Sequence, residues 1–249
     1  MKRLPSTAGV AVGIVVAAVC VRLGIWQIAR LHEKEALNAR LRAALATAPA
    51  DLAAADRALA VGGADSLRFG RWSAHGRYDE TRQFLLMGRA RNGEPGVEVI
   101  TPLVPDTAAG GDGGGEAVLV DRGWIPSADA ATAQPEQYPA PGSHAVTGLA
   151  EPIGRGGAAA YTRVDIDSLL VWSVTRLDAD SVRARLPYPV RRYVLTALPV
   201  PGAPEALPVP AGARFFDESM HRGYAGQWFS FAAISLIGMV VLARRRRAP

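Results

Sequence analysis

A histidine near the end of the chain could bind a metal cofactor, because polar and aromatic side chains follow it at helical spacing. His221 precedes Tyr224 by three residues and Trp228 by seven, so these side chains share one face if a helix already begins at His221. A neutral imidazole is an axial ligand for haem iron, and a flat, apolar porphyrin could lie among the aromatic rings. The alternative is a histidine that is solvated among the lipid headgroups, beside aromatic residues that favour membrane interfaces.

A similar group of residues ends an apolar stretch near the start of the chain. Trp26, Gln27 and Arg30 lie at the outer boundary of that stretch. Two helix ends that carry polar and aromatic side chains would form a site at membrane level if they faced one another. Arg22 and Arg30 could pair with haem propionates, although long arginine side chains that reach the headgroups explain them as simply.

Other kinds of active site find little support in the sequence. The four histidines are not spaced at i, i+3 or i, i+4, and the single cysteine, Cys20, excludes a C-x-x-C metal site. The glycine-rich segment 110-GGDGGGE-116 lacks the phosphate-binding pattern G-x-x-x-x-G-K-[ST], and no G-x-S-x-G nucleophile motif occurs. We therefore expect no catalytic turnover.

The segment 121-DRGW-124 has two interpretations. Asp121 and Arg122 could provide half of an acid–base pair. More often, such a cluster at a strand end is a buried ion pair that fixes a turn, with Gly123 supplying backbone freedom and Trp124 packing. We favour this structural interpretation.

Two apolar segments must position the histidine and the glutamine. Residues 8–29 are interrupted only by Arg22, and residues 224–243 contain no charged side chain. Each segment is long enough to cross a bilayer, which takes about 20 residues. A cleaved signal peptide is the alternative for the first segment. However, the apolar run continues past the small residues 17–19 to Trp26, which favours an uncleaved anchor.

The net charge of +5 belongs to the tails rather than to a surface that binds nucleic acid. Lys2, Arg3 and Arg244 to Arg247 contribute six positive charges, whereas residues 4–243 carry 22 basic and 23 acidic side chains. Basic residues that flank membrane segments stay on the cytoplasmic side. The preference for arginine and alanine over lysine suggests a GC-rich bacterial genome. We therefore expect a multi-pass protein of the bacterial inner membrane, with both termini in the cytoplasm and the central domain outside.

The central part of the chain is predicted to be a β-rich domain. Short runs of β-forming residues alternate with glycine and proline from Leu67 onward, without regular alternation of helices and strands. A mainly antiparallel sandwich or small barrel is therefore expected between two transmembrane helices. The predicted segments are a tail 1–7, transmembrane helix 8–29, connector helix 30–66, β-rich domain 67–198, proline-rich return arm 199–223, transmembrane helix 224–243 and basic tail 244–249.

Turn signals within this domain delimit its strands. The pairs Asn-Gly and Pro-Gly in 91-RNGEPG-96 predict a β-hairpin. Residues 69–78 are predicted to form a strand pair or one bulged strand. The other predicted strands are 83–89, 97–104, 117–125, 145–149, 169–174 and 192–198, and a short helix is predicted at 178–186.

Five segments of the chain resemble motifs of the SURF1 family, whose yeast member is called Shy1. They occur in the family's order and with its layout of two membrane helices. The V-D-R-G-W-I-P run together with both membrane motifs makes the resemblance specific. The segments are 23-LGIWQIARLHEK-34, 76-GRYD-79, 96-GVEVITPLV-104, 120-VDRGWIP-126 and 221-HRGYAGQWF-229.

The resemblance implies an assembly factor for haem-copper cytochrome c oxidase. Such a factor supplies or stabilises haem a during maturation of oxidase subunit I, and haem a would be a transient cofactor. The expected partners are subunit I, haem a synthase and the lipid bilayer. His221 corresponds to the family histidine that is proposed to contact haem iron, and Trp26, Gln27, Tyr224 and Trp228 would shape the surrounding pocket. Two alternatives remain: a scaffold without haem that docks on oxidase subunits, and, less favoured, a membrane-tethered enzyme that acts on envelope substrates.

Overall fold

The computed structural model describes residues 6–106, 115–154, 161–166 and 169–245. The glycine run at 110–114, residues 1–5 of the first tail and residues 246–249 of the second lie outside the described residues. The chain forms two compact units: Met1–Arg42 with Phe215–Pro249, and Ala43–Arg214. The described helices are α1 (Ser6–Ala46), α2 (Leu52–Arg68), α3 (Ala179–Arg183) and α4 (Ser219–Arg245). The described strands are β1 (Ala50–Asp51), β2 (Arg71–Tyr78), β3 (Arg82–Arg91), β4 (Glu94–Val104), β5 (Ala117–Pro126), β6 (Ser143–Pro152), β7 (Tyr161–Ile166), β8 (Leu169–Val174) and β9 (Val190–Ala197).

The first unit is built from α1 and α4, which run antiparallel. By length and composition, the segments Gly9–Ala46 and Ser219–Val241 could each cross a membrane. The two helices meet through small residues that recur every three or four positions. The buried members of this seam are Ala17, Cys20 and Gly24 on α1 and Ala225 and Ala232 on α4. Most large apolar side chains of both helices are exposed, as expected of helices that face lipid.

The segment predicted as one connector helix, 30–66, is helical but forms parts of two helices. Helix α1 continues from the first apolar segment without a break to Ala46, and α2 is a separate helix. Pro49 follows the end of α1, and proline lacks the N–H and has the wrong shape for a helix interior. The carboxylate of Asp51 then accepts a hydrogen bond from the Ala54 amide at 2.7 Å, which starts α2 as a helix cap does.

The second unit is a mainly antiparallel β domain that forms a small barrel, which confirms the predicted fold class. Strands β2, β6, β9, β5 and β4 are hydrogen-bonded in that order, and the ring closes where β2 pairs with β4 through Arg77–Val104 and Tyr78–Leu103. Strand β3 pairs with the other part of β4, and β8 and β7 continue the sheet from there. The seven predicted strands are all present, and β1 and β7 were missed.

The barrel has an apolar interior to which every strand of the ring contributes. The core includes Trp72 from β2, Leu103 from β4, Val120 from β5, Ala150 from β6 and Tyr193 from β9. Helix α2 packs against the same core and is tied to it by the Trp72 indole, which donates a 2.8 Å hydrogen bond to the Leu67 carbonyl. A second core beside β3 and β8 surrounds the stacked rings of Phe84 and Trp172.

The Asp-Arg-Gly-Trp segment lies inside β5, and its two charged residues have different partners. Arg122 is buried; it contacts the Glu80 carboxylate at 3.3 Å, and its guanidinium lies over the Tyr78 ring. The Asp121 carboxylate accepts a hydrogen bond from the Gly123 amide at 3.0 Å. Successive side chains of a strand point to opposite faces, which separates Asp121 from Arg122. The favoured structural role therefore fits, but the partner of Arg122 is Glu80 rather than Asp121, and the ion pair joins β5 to the turn between β2 and β3.

Gly123 gives β5 the shape that lets the return arm attach. Its φ is +129°, and a Cβ at this position would lie 2.2 Å from the Val209 carbonyl oxygen. The neighbouring residue, Trp124, exchanges two backbone hydrogen bonds of 2.8 Å with Val209 of the arm.

Replacing Gly123 with Ala should lower the free energy of unfolding by ~2–4 kcal/mol, because the new Cβ meets both backbone strain and the Val209 carbonyl. Gly142 is the matched control: its φ is +90°, but nothing lies within 4 Å of a Cβ there. Gly142→Ala should therefore cost only ~1–2 kcal/mol. Denaturant unfolding of the full chain in detergent measures both variants, and equal losses would contradict the role of the arm contact.

Asp121 should make stability depend on pH. Burial, and then the nearby Glu98 carboxylate, raise the pKa of Asp121 from 3.8 to about 7. Between these two values the folded protein keeps a proton that the unfolded chain releases, so the free energy of unfolding falls as pH rises from 4 to 7. Asp121→Asn removes this titration. The stability of the wild type relative to this variant should fall by roughly 2–4 kcal/mol across that window; parallel pH profiles would show that Asp121 does not titrate there.

Candidate functional site

The candidate site lies in the helical unit, where the first turn of α4 meets α1. Helix α4 begins at Ser219, so His221 is already helical, as the spacing argument requires. The Asp217 carboxylate accepts hydrogen bonds from the backbone amide and the hydroxyl of Ser219, at 2.8 and 2.7 Å. These bonds lower the pKa of Asp217, so a negative charge stabilises the start of the helix.

The structure brings together two of the five predicted site residues. Nδ1 of His221 lies 2.7 Å from Oε1 of Gln27, across the two helices. Gln27 is buried, and His221 is partly buried. An amide oxygen can only accept a hydrogen bond, so the imidazole donates its Nδ1 proton and keeps the lone pair on Nε2. The second nitrogen of a metal-binding histidine is commonly held by such an acceptor.

The three aromatic residues predicted for the site lie on the same two helices as this pair, and two of them are exposed. Trp26 and Tyr224 are each about half exposed, at 50% and 47% of their surface. The Trp228 ring is partly buried and meets Phe231 edge-on, with ring centroids 6.0 Å apart. The guanidinium of Arg30 lies 5.8 Å from the centre of the Trp26 ring. These rings provide apolar surface next to the polar pair.

A clamp that sequence reasoning missed holds the end of the return arm on α1. The Asn38 side chain is almost completely buried at 1% exposure. Its amide nitrogen donates to the Phe216 carbonyl at 2.9 Å and to Glu218 Oε1 at 2.7 Å, and its oxygen accepts from the Phe216 amide at 2.9 Å. The clamp ends one residue before α4, so it fixes where His221 enters the helix.

The periodicity of α1 contains the signal that could have found Asn38. Starting from Gly24, steps of three and four residues lead to Gln27, Leu31 and, seven positions later, Asn38. All four are buried. A buried polar residue at such a position needs a hydrogen-bonding partner on the opposite helix or beside it.

Charged residues line the same part of the helix pair, and each is already partnered. Arg30 pairs with Glu33 at 2.5 Å, and Arg222 pairs with Glu35 at 3.6 Å. The ammonium of Lys34 lies 4.3 Å from the centre of the Phe216 ring. Arg30 and Arg222 are largely exposed, so they could exchange these partners for an anionic group at little cost.

Comparison with known proteins identifies relatives along most of the chain. The model of the SURF1 family matches residues 14–233, which include the barrel, most of α1 and the first part of α4. A SURF1-like protein from Monosiga brevicollis is 30% identical over 237 residues, which cover 90% of this chain and 83% of that protein. The matched range contains Gln27, Asn38 and His221. The chain therefore belongs to the SURF1 family, a family of cytochrome oxidase assembly factors.

Proposed function

We propose that this protein assists the assembly of haem-copper cytochrome c oxidase by holding haem a at His221 while the cofactor is delivered to subunit I. The hydrogen bond between His221 and Gln27 is the observation that carries the proposal. It orients the imidazole and leaves the lone pair on Nε2 for a metal.

The number of available ligands favours a haem over a bare metal ion. Among the described residues, no group of three or more histidine, cysteine or acidic side chains could hold a metal ion. A structural zinc or copper site needs three or four protein ligands. A haem iron needs only one or two axial ligands, because the porphyrin supplies four nitrogens when it is bound. A single imidazole with a fixed tautomer matches that requirement.

The surroundings of His221 suit a flat, amphipathic molecule. The exposed rings of Trp26 and Tyr224 offer apolar contact, and Trp228 extends this surface along α4. Arg30 and Arg222 could bind the propionates at the water-exposed edge by exchanging their present carboxylate partners. Weak, open binding of this kind suits a protein that hands a cofactor on.

The membrane context supports transfer between proteins. Both tails are basic, so we place both termini in the cytoplasm of the bacterial inner membrane and the barrel on the outer side. His221 and Gln27 then lie at the outer ends of the two apolar segments. Subunit I and haem a synthase would meet this site from within the same bilayer, without passage of haem through water.

A scaffold that binds no haem is the second candidate, because the same exposed rings could dock on an oxidase subunit. The two functions differ in what His221 does. A docking surface would tolerate the loss of one imidazole, whereas a haem site would not. The remaining alternative, an envelope enzyme, finds no support in the family, whose members are assembly factors.

His221→Ala should abolish haem retention and reduce oxidase maturation. For haem retention, the protein is purified in detergent from cells that make haem a, and its absorption spectrum and haem content are measured. For oxidase maturation, the variant replaces the native protein in the same cells, and the haem a content of their oxidase is measured. His32→Ala, at an exposed histidine of α1, is the control and should behave as wild type. His221→Gly with added imidazole should restore the haem spectrum. Normal maturation by a haem-free His221→Ala protein would favour the scaffold instead.

Gln27→Leu should weaken haem binding by about 10–100-fold while the protein stays folded, because the imidazole loses the acceptor that fixes its tautomer. Gln27→Glu keeps an acceptor and should retain haem. Gln227→Leu makes the same chemical change at an exposed position of α4 and should have no effect. Haem titration followed by absorbance, with circular dichroism as a check of folding, measures the series. Wild-type affinity in Gln27→Leu would show that Gln27 does not position His221.

A further inference from the structure

A polar cavity of about 340 Å³ is lined entirely by residues of the β unit, which does not include His221. Three arginines line it: Arg89 and Arg91 from the end of β3, and Arg214 from the return arm. Glu98 of β4 and Trp124 of β5 complete its wall. The cavity is at the small end of the range for ligand-binding sites, which runs from about 300 to 1,000 Å³.

Two buried donors in the wall of this cavity have no acceptor within the protein. Among the described residues, four buried side-chain polar atoms lack a hydrogen-bond partner, and Arg89 Nε and Trp124 Nε1 are two of them. Arg89 Nε lies 3.1 Å from Glu98 Oε2, so the charges attract, but the N–H does not point at that oxygen. Buried donors nearly always find an acceptor. Two unsatisfied N–H groups on residues of one cavity therefore point to a ligand that brings acceptors.

The charge of the cavity also favours an anion. The Glu98 side chain, 6% exposed, pairs with both Arg89 and Arg214, so one carboxylate serves two guanidinium groups. Arg91 pairs with Glu205, whose side chain is 65% exposed. Three arginines thus face two carboxylates.

A third carboxyl group, that of Asp121, lies nearby but does little to neutralise the excess positive charge of the arginines. Asp121 is buried, and its pKa is raised to about 7 by burial and by Glu98. The ionised form of Asp121 is therefore disfavoured. Arg89 and Arg214 act in the opposite direction and favour its ionised form, which places all four groups within one electrostatic cluster.

We propose that this cavity binds a small oxyanion, a carboxylate or phosphate group, between the guanidinium groups of Arg89 and Arg214. The planar fork of a guanidinium matches both kinds of group through paired N–H···O bonds. Glu98 shows that the two arginines already converge on a carboxylate from the protein. The bound oxyanion would accept from the remaining N–H groups, and it would strengthen the hold of the return arm, which carries Arg214. This proposal is independent of haem binding at His221.

The experiment uses the full chain in detergent, at constant ionic strength set with chloride. Inorganic phosphate and succinate are titrated separately, and the unfolding temperature and the heat of binding are measured. At least one of the two should bind with a saturable dissociation constant, and the stronger of the two identifies the chemical source of the oxyanion. Arg89→Gln and Arg214→Gln should each weaken that binding at least tenfold.

Arg68→Gln is the matched control, because Arg68 forms an exposed ion pair with Glu151 outside the cavity. It should bind the anion as the wild type does. Arg214→Lys keeps the positive charge but lacks the planar guanidinium, so an intermediate affinity for the anion is expected. This variant also tests the proposal if Arg214→Gln fails to fold. The absence of saturable binding of either anion would overturn the proposal. So would binding that is equally strong in Arg68→Gln, Arg89→Gln and Arg214→Lys.

Discussion

The close approach of two antiparallel helices is the constraint on which the candidate site depends. A side-chain hydrogen bond between helices requires their backbones to be near each other, and bulky residues on the seam would prevent this. Gly24 shows how little room there is: a Cβ on this residue would lie 2.7 Å from the Phe229 ring. About one turn further along α1, the same short distance between the helices allows Gln27 Oε1 to lie 2.7 Å from His221 Nδ1. Small residues thus determine where polar ones can meet.

Polar contacts on this seam become denser toward the end of α1 that leaves the apolar segment. Among the described residues, the apolar part of the pair has one hydrogen bond of this kind, from the Ser235 hydroxyl to the Gly13 carbonyl at 3.0 Å. Near the outer ends there are the Gln27–His221 bond and the three bonds of Asn38. Such a distribution suits a helix pair whose middle lies in lipid and whose ends meet water, since unsatisfied polar groups are most costly in the hydrocarbon.

In the β unit, the main constraint is how the return arm attaches, because it contains too many prolines to join the sheet as a strand. The arm binds β5 through a single bridge at Trp124 and Val209, and Arg214 binds Glu98 of β4. The bridge to Val209 lies at an irregular stretch of β5, where Gly123 has a positive φ and the β4–β5 register shifts. Asp121, whose pKa is raised by burial and by Glu98, belongs to the same stretch. Attachment of the arm, an unusual carboxyl group and one wall of the arginine-lined cavity therefore involve neighbouring residues of β5.

The sequence by itself determined the elements whose signals are local. The two apolar segments follow from composition, and the β3–β4 hairpin follows from Asn-Gly between alternating apolar residues, because backbone preferences at a turn act within four residues. The break between α1 and α2 at Pro49 also has a local cause, but the helical pattern on both sides of the proline led to the prediction of one helix. Strand β7 gave no such signal. Only the tertiary structure decided that the ring closes through β2 and β4, and that Gln27 meets His221 from 194 residues away. Pairings of that range depend on which faces pack together in three dimensions, and side-chain types along one chain do not specify them.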